Sequence, residues 1–157
     1  MNRRNVALIL GGLASVGLGL GLWLGLSGGG KAEPTRQDYL ARVSSVCRTY
    51  ARRLERVPAP SDPGAYGDVI DSLRRVVPLL RAQATAMRAE PAPAALEPRL
   101  ERLFGLDRRS IGQLEVALAA AEHRDAGRVA TGLARFASLR DRVHVAALAL
   151  GIRCEAN

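Results

Sequence analysis

Between residues 35 and 150 the apolar positions of this chain recur at intervals of three and four, and prolines or capping residues break the recurrence into four stretches. That spacing puts each set on one face of an α-helix, where neighbours lie three and four residues apart. In the first stretch the face is Leu40, Val43, Cys47, Tyr50, Leu54 and Val57. Thr35, with Asp38 three residues on, gives a capping-box-like start behind Pro34, and Pro58-Ala59-Pro60 ends the helix. The second stretch is predicted to begin at Asp62-Pro63, an N-cap residue followed by a proline whose missing N–H has no partner in the first turn anyway. Its face is Ile70, Leu73, Val77, Leu80, Ala84 and Met87. Pro78 lies inside it and is expected to kink the helix, because it removes one donor and crowds the turn before it.

Pro91-Ala92-Pro93 closes the second stretch, and the third is predicted from Ala95 to Glu122 with Pro98 in its first turn. Its face is Leu100, Leu103, Phe104, Ile111, Leu114, Leu118 and Ala121. The fourth helix is capped by Asp125 and runs to Leu150, with Val129, Leu133, Phe136, Val143, Ala147 and Leu150 on one face. Gly151 follows as a natural C-terminal cap. No strand pattern and no tandem repeat is present. Four amphipathic helices with short connections predict an all-α, antiparallel up-down-up-down four-helix bundle over residues 35–157.

The last hairpin fixes its own register. Its turn centres on His123-Arg124, so facing residues should carry numbers totalling about 247. The apolar positions pair accordingly: Leu118 with Val129, Leu114 with Leu133, Ile111 with Phe136, Phe104 with Val143, and Leu100 with Ala147. One layer is polar on both sides, Asp107 opposite Arg140, which predicts an interhelical salt bridge at the edge of the core. The alternative is that both point to water and Leu106 and Leu139 fill the layer.

Ahead of the bundle, residues 6–26 carry no charge. At the helical rise they span about 31 Å, close to the roughly 30 Å of a bilayer's hydrocarbon core. Residues 1–5, with Arg3 and Arg4, read as a cytoplasmic n-region, 6–26 as one N-terminal transmembrane signal-anchor, and 27–34 as a linker. The apolar run exceeds the ~7–15 residues of a cleaved signal peptide, which favours retention at the cell membrane. Cleavage after Ala32 or at Gly28, Gly29 or Gly30 would instead release a secreted domain. Basic residues are nearly balanced across the span, so the N-terminus is placed inside on the signal-like start and on two cysteines able to pair. The reverse topology would leave a cytoplasmic domain with free thiols. Gly17, Gly21 and Gly25 form a stripe that lets two membrane helices approach closely and would support a homodimer, although a glycine-rich signal sequence produces the same spacing by chance.

Composition narrows the chemistry. Apolar residues make up 48% and aromatics only 4%, so the core must be aliphatic. The formal charge is +8, and from Glu33 onward 20 arginines stand against 15 acids. This permits acidic partners, including anionic lipid headgroups, but the acids are interspersed and Trp23 is the only Trp, so no nucleic-acid surface is indicated.

Cys47 and Cys154 are the only cysteines; an even count in an exported domain reads as one disulfide. The rival reading, a redox-active pair, lacks a C-x-x-C motif. Hairpin counting puts Cys47 level with Arg140, so the bond requires the tail after Leu150 to fold back or the first helix to shift. The only histidines are His123, at a turn and expected to be solvated, and His144, beside a core position and expected to be partly buried. Neither sits in a zinc, di-iron or covalent-haem motif. Haem held between His144 and Met87 would need residues that register places more than a turn apart, so no cofactor and no metal is expected. Ser44, Ser45, Ser110 and Ser138 have no nucleophile motif around them, and there is no phosphate-binding loop.

Tyr39-Leu40-Ala41-Arg42 leading to Cys47, the Pro-x-Pro break, helices rich in Ala, Leu and Arg, and the closing Gly151-Ile152-Arg153-Cys154 resemble small secreted or membrane-anchored helical-bundle proteins of GC-rich bacteria over residues 35–154. The resemblance implies an exported, disulfide-linked bundle and supplies no catalytic residue. The expected function is a membrane-tethered, non-catalytic interaction or structural module of the bacterial envelope, with the bilayer and an envelope protein as partners. The alternative is a ligand- or cofactor-binding bundle of the sensor or cytochrome kind, with a cavity near Pro78.

Overall fold

The structure is a computed structural model that describes residues 33–61 and 65–154. The anchor expected over 6–26, its stripe of Gly17, Gly21 and Gly25, and the Asp62-Pro63 start of the second helix lie outside the described residues. Among those described there are four α-helices and no strand: α1 Arg36–Glu55, α2 Tyr66–Ala89, α3 Glu97–Glu122 and α4 Ala126–Leu150. None of the four is long and apolar enough to cross a membrane.

Local chemistry sets most of the boundaries. The Thr35 hydroxyl accepts from the Asp38 N–H at 3.1 Å and donates to the Asp38 carboxylate at 2.7 Å, which satisfies one orphan donor at the start of α1. α2 begins at Tyr66, later than expected, behind Ala65, which offers no side-chain cap. It runs through Pro78 as one helix, with that proline on the exposed side where solvent can serve the freed carbonyl. A 3-10 turn, Ala94–Leu96, leads into α3, which tolerates Pro98 in its first turn. The Asp125 carboxylate accepts from the Arg128 N–H at 3.0 Å to start α4. Gly151, at φ +92°, closes α4 in the left-handed region that a side chain would strain.

Each helix runs antiparallel to the next. Arg42 on α1 pairs with Glu90 just past α2. Arg74 and Arg81 on α2 pair with Glu122 and Glu115 on α3. Gly132 on α4 faces the step from Gln113 to Ala117 on α3, so the hairpin keeps the register expected from its turn.

The core forms two apolar clusters. One joins the start of α1 and the end of α4: Tyr39, Val43, Phe104, Val143, Ala147 and Ile152 are among its members. The other joins the start of α2 and the end of α3 through Val69, Leu73, Leu80, Ile111, Leu114 and Ala117. Between them lies a polar waist of Gln83 on α2, Asp107 and Ser110 on α3, and Arg140 on α4.

Faces differ from the expected ones on more than one helix; on α2, Val69 and Gln83 are buried and the expected Ile70 and Ala84 only half-buried. On α1 the buried positions are Tyr39, Val43, Ser44 and Cys47, with Leu40, Tyr50 and Leu54 only half-buried and Val57 half-buried past the helix end. Steps of four keep the larger Tyr39 ring in line with Val43 and Cys47 and turn Leu40 toward the edge. On α4, Leu133 is exposed and Gly132 is buried in its place. A glycine lets α4 lie close against Ala117, and that close approach rotates Leu133 outward.

Candidate functional site

The groups with distinctive chemistry gather where the tail after α4 meets α1. Gly151 reverses the chain, the Ile152 N–H donates to the Ala147 carbonyl at 2.9 Å, and the Ile152 side chain is buried in the first cluster. The Arg153 N–H then donates to the Ser44 hydroxyl at 3.1 Å. These contacts carry Cys154 back along α4 to Cys47, and the two form a disulfide with Cα atoms 4.9 Å apart. Of the two routes open in the sequence, the tail folding back is the one taken. Two orphan donors find acceptors on the way, and an isoleucine side chain leaves water.

Cys47 is buried and Cys154 half-buried. The Gln83 amide N–H donates to the Cys47 sulfur at 3.1 Å, which gives the buried amide a partner. Beside the disulfide lies a small cavity of about 30 Å³, bordered by Gln83, Met87, Phe104, Asp107 and Arg140. Its size is that of about one water molecule.

Asp107 closes the far side. Arg140 Nη1 stands 2.7 Å from Asp107 Oδ1, while the side chains retain 34% and 14% exposure respectively. Burial pushes the Asp107 carboxyl above its usual range, and the attraction of Arg140 and Arg88 only partly offsets it. Arg88 itself donates to the Phe104 carbonyl at 3.2 Å and lies over that ring at 5.0 Å from its centre. At the outer end of the same cluster, burial first and the nearby Glu90 charge second push the Tyr39 phenol up to about 12.

The structure thus brings together Cys47 with Cys154 and Asp107 with Arg140, while Leu106 and Leu139 remain half-buried beside the waist. It does not bring His144 to Met87: Met87 is in the core and His144 is exposed, not partly buried as expected. Val143 and Ala147 take the inward positions on α4 and leave His144 on the outer face. His123 is exposed at the end of α3. The small cavity lies beside Met87 and Asp107, and a wider open depression of about 470 Å³ is lined by Arg81 and Ala84, which follow Pro78 along α2. Among the described residues no group of three or more His, Cys, Asp or Glu could hold a metal ion.

Gln83, Ser44, Arg88 and Ile152 were not singled out by the apolar pattern, yet they complete this region. Gln83 occupies a core position three residues past Leu80 and four before Met87, a polar residue in an inward slot. That is the one signal that could have marked it. Comparison with protein-family models, with curated proteins and with solved structures gave no match to this chain.

Proposed function

We propose that this chain is a membrane-tethered, non-catalytic interaction module of the bacterial envelope, single-pass, with its N-terminus in the cytoplasm and its bundle outside. The observation that carries this reading is the Cys47–Cys154 disulfide, which staples the tail after α4 onto α1. Such bonds persist in oxidising compartments outside the cytoplasm. The uncharged run over residues 6–26 supplies the tether.

The non-catalytic part of the reading is supported by how the reactive groups are occupied. Both sulfurs are in the disulfide, the Asp107 carboxylate is committed to Arg140, and the space beside them is about one water in size. A bundle with such a centre offers its outer faces, and the module's partner is an envelope protein. The Gly17, Gly21 and Gly25 stripe adds a route to a homodimer through the membrane helix.

A membrane-impermeant thiol reagent applied to intact cells after mild reduction tests the topology. Labelling of Cys154, the more accessible sulfur, is expected; labelling only after lysis would place the domain in the cytoplasm. A mature N-terminus near Glu33 would replace the tether with secretion. Crosslinking in intact cells followed by mass spectrometry identifies the partner.

A further inference from the structure

A groove of about 570 Å³ lies between α1 and the folded-back tail. Arg36, Arg48 and Arg153 line it together with Leu40, Ala41 and Gly151, and among the described residues no carboxylate does. The Arg36 guanidinium donates to the Leu150 carbonyl at 3.3 Å, which fixes it at the groove's end. The side chains of Arg48 and Arg153 make no ion pair or hydrogen bond among the described residues. This sets them apart from Arg42, on the same helix, which is held by Glu90 at 2.9 Å.

Three guanidiniums around one depression that no described carboxylate lines produce a positive potential that an anion relieves. The apolar side chains and the bare Gly151 backbone between them favour an anion that carries an apolar part. The groove also starts at the first residue of α1. Nine residues, 27–35, separate it from the end of the uncharged run, and fully extended they reach about 30 Å. A tether of that length keeps the groove at high effective concentration with the bilayer surface.

We infer that this groove docks the bundle onto the headgroups of anionic phospholipids, laying α1 and the tail against the bilayer. The inference rests on the tethered reading given above. An acidic protein segment is the competing occupant, and it lacks the argument from position. Each arginine near an anionic surface strengthens attachment about fivefold, so three make the docked state dominant in an anionic bilayer and leave it sparse in a neutral one.

The test reconstitutes the full chain, with a fluorescent amino acid at the exposed Gln37 position, into vesicles that contain headgroup-nitroxide lipid. One set is neutral phosphatidylcholine and the other is one-third phosphatidylglycerol. Quenching about twofold stronger in the anionic vesicles is expected, reversed in about 0.5 M NaCl, where screening shrinks to a few ångströms. The double variant Arg48→Gln, Arg153→Gln should lose most of the anionic excess, keeping only the contribution of Arg36. Because neither side chain bonds to a described residue, its melting temperature should stay that of the parent. A charge-matched control, Arg52→Gln with Arg56→Gln, should keep the quenching.

Equal quenching in both lipids, or equal loss in the control, would overturn the groove. So would tight binding of a Glu-rich decapeptide in neutral vesicles without lipid-dependent quenching, which would assign the groove to a protein. Flotation in the same high salt reads the tether separately. A chain that floats only with anionic vesicles at low salt keeps the groove and loses the tether; one that floats in neither condition loses both.

Discussion

Replacing Arg140 with Gln takes away the only charged hydrogen-bond donor, among the described residues, of a carboxylate that is 14% exposed, whereas replacing Asp107 with Asn leaves behind an arginine that is one-third exposed. The two losses are therefore unequal. Asp107→Asn should cost about 1 kcal/mol or less, because Arg140 can turn its head group to water. Arg140→Gln should cost about 2–3 kcal/mol at neutral pH, because the stranded carboxylate cannot move; attraction from Arg88 keeps the figure below that of a wholly uncompensated charge. The coupling should be about 1–2 kcal/mol, measured as a double-mutant cycle by urea unfolding of the oxidised chain.

The pH dependence supplies a second check on the same pair. The folded carboxyl lies above the ordinary 3.8, so over the window that starts there the native state holds a proton the unfolded chain has released. Its contribution to stability is greatest below that window and is lost as pH rises through it. Removing Arg140, which lowers the carboxyl, should extend the window upward and steepen the loss. Asp107→Asn should abolish it. Additive effects within about 0.3–0.5 kcal/mol, or an Asp107→Asn variant less stable than Arg140→Gln, would refute the reasoning.

Gly132→Ala should destabilise by about 1–2 kcal/mol, since its Cβ would stand 3.0 Å from the Ala117 Cβ and 3.1 Å from the Gln113 carbonyl oxygen; Gly112→Ala, with nothing within 4 Å, should stabilise by up to about 1 kcal/mol, both read from urea midpoints. Reducing the disulfide, or replacing both cysteines with Ser, should cost about 4–5 kcal/mol for a bond closing 107 positions, and the Ile152 amide should lose hydrogen-exchange protection before the centre of α3 does. Ultraviolet titration should show one tyrosine ionising at about 12 that disappears in Tyr39→Phe. Stability should fall as pH climbs from 10 toward that value, because the unfolded phenol gives up its proton first.

How far the sequence revealed this depended on how short the connections are. Between α3 and α4 the connection is three residues, His123 to Asp125, with Arg124 in the left-handed region and Asp125 as cap, so the register followed from counting and put Asp107 opposite Arg140. Between α1 and α2 the connection is longer and the α2 cap is not a side chain, so counting across it fixed no register. Faces were read less well than helices. Leu40 and Tyr39 fit α1's pattern almost equally, and packing chose the ring. Leu133 fits α4's pattern, but whether a glycine beside it draws two helices close is a tertiary matter that periodicity does not carry. The tail's return depends on the Ser44 hydroxyl and a buried Ile152, neither of which any helical repeat predicts.

The Cys47–Cys154 bond also changes how the molecule bears load and damage. Everything from the middle of α1 to the tail, including all of α2, α3 and α4, belongs to one covalent ring. A pull on the chain ahead of Thr35 can draw out only the eleven residues from Arg36 to Val46, a gain of about 20 Å over their helical length, before tension passes into the sulfur–sulfur link. From there it crosses directly to Cys154 and bypasses the interior helices. A protease that nicks the 58–65 connection opens the ring without dividing it, so both pieces stay joined and the portion from α2 onward keeps its attachment to whatever holds the N-terminal end.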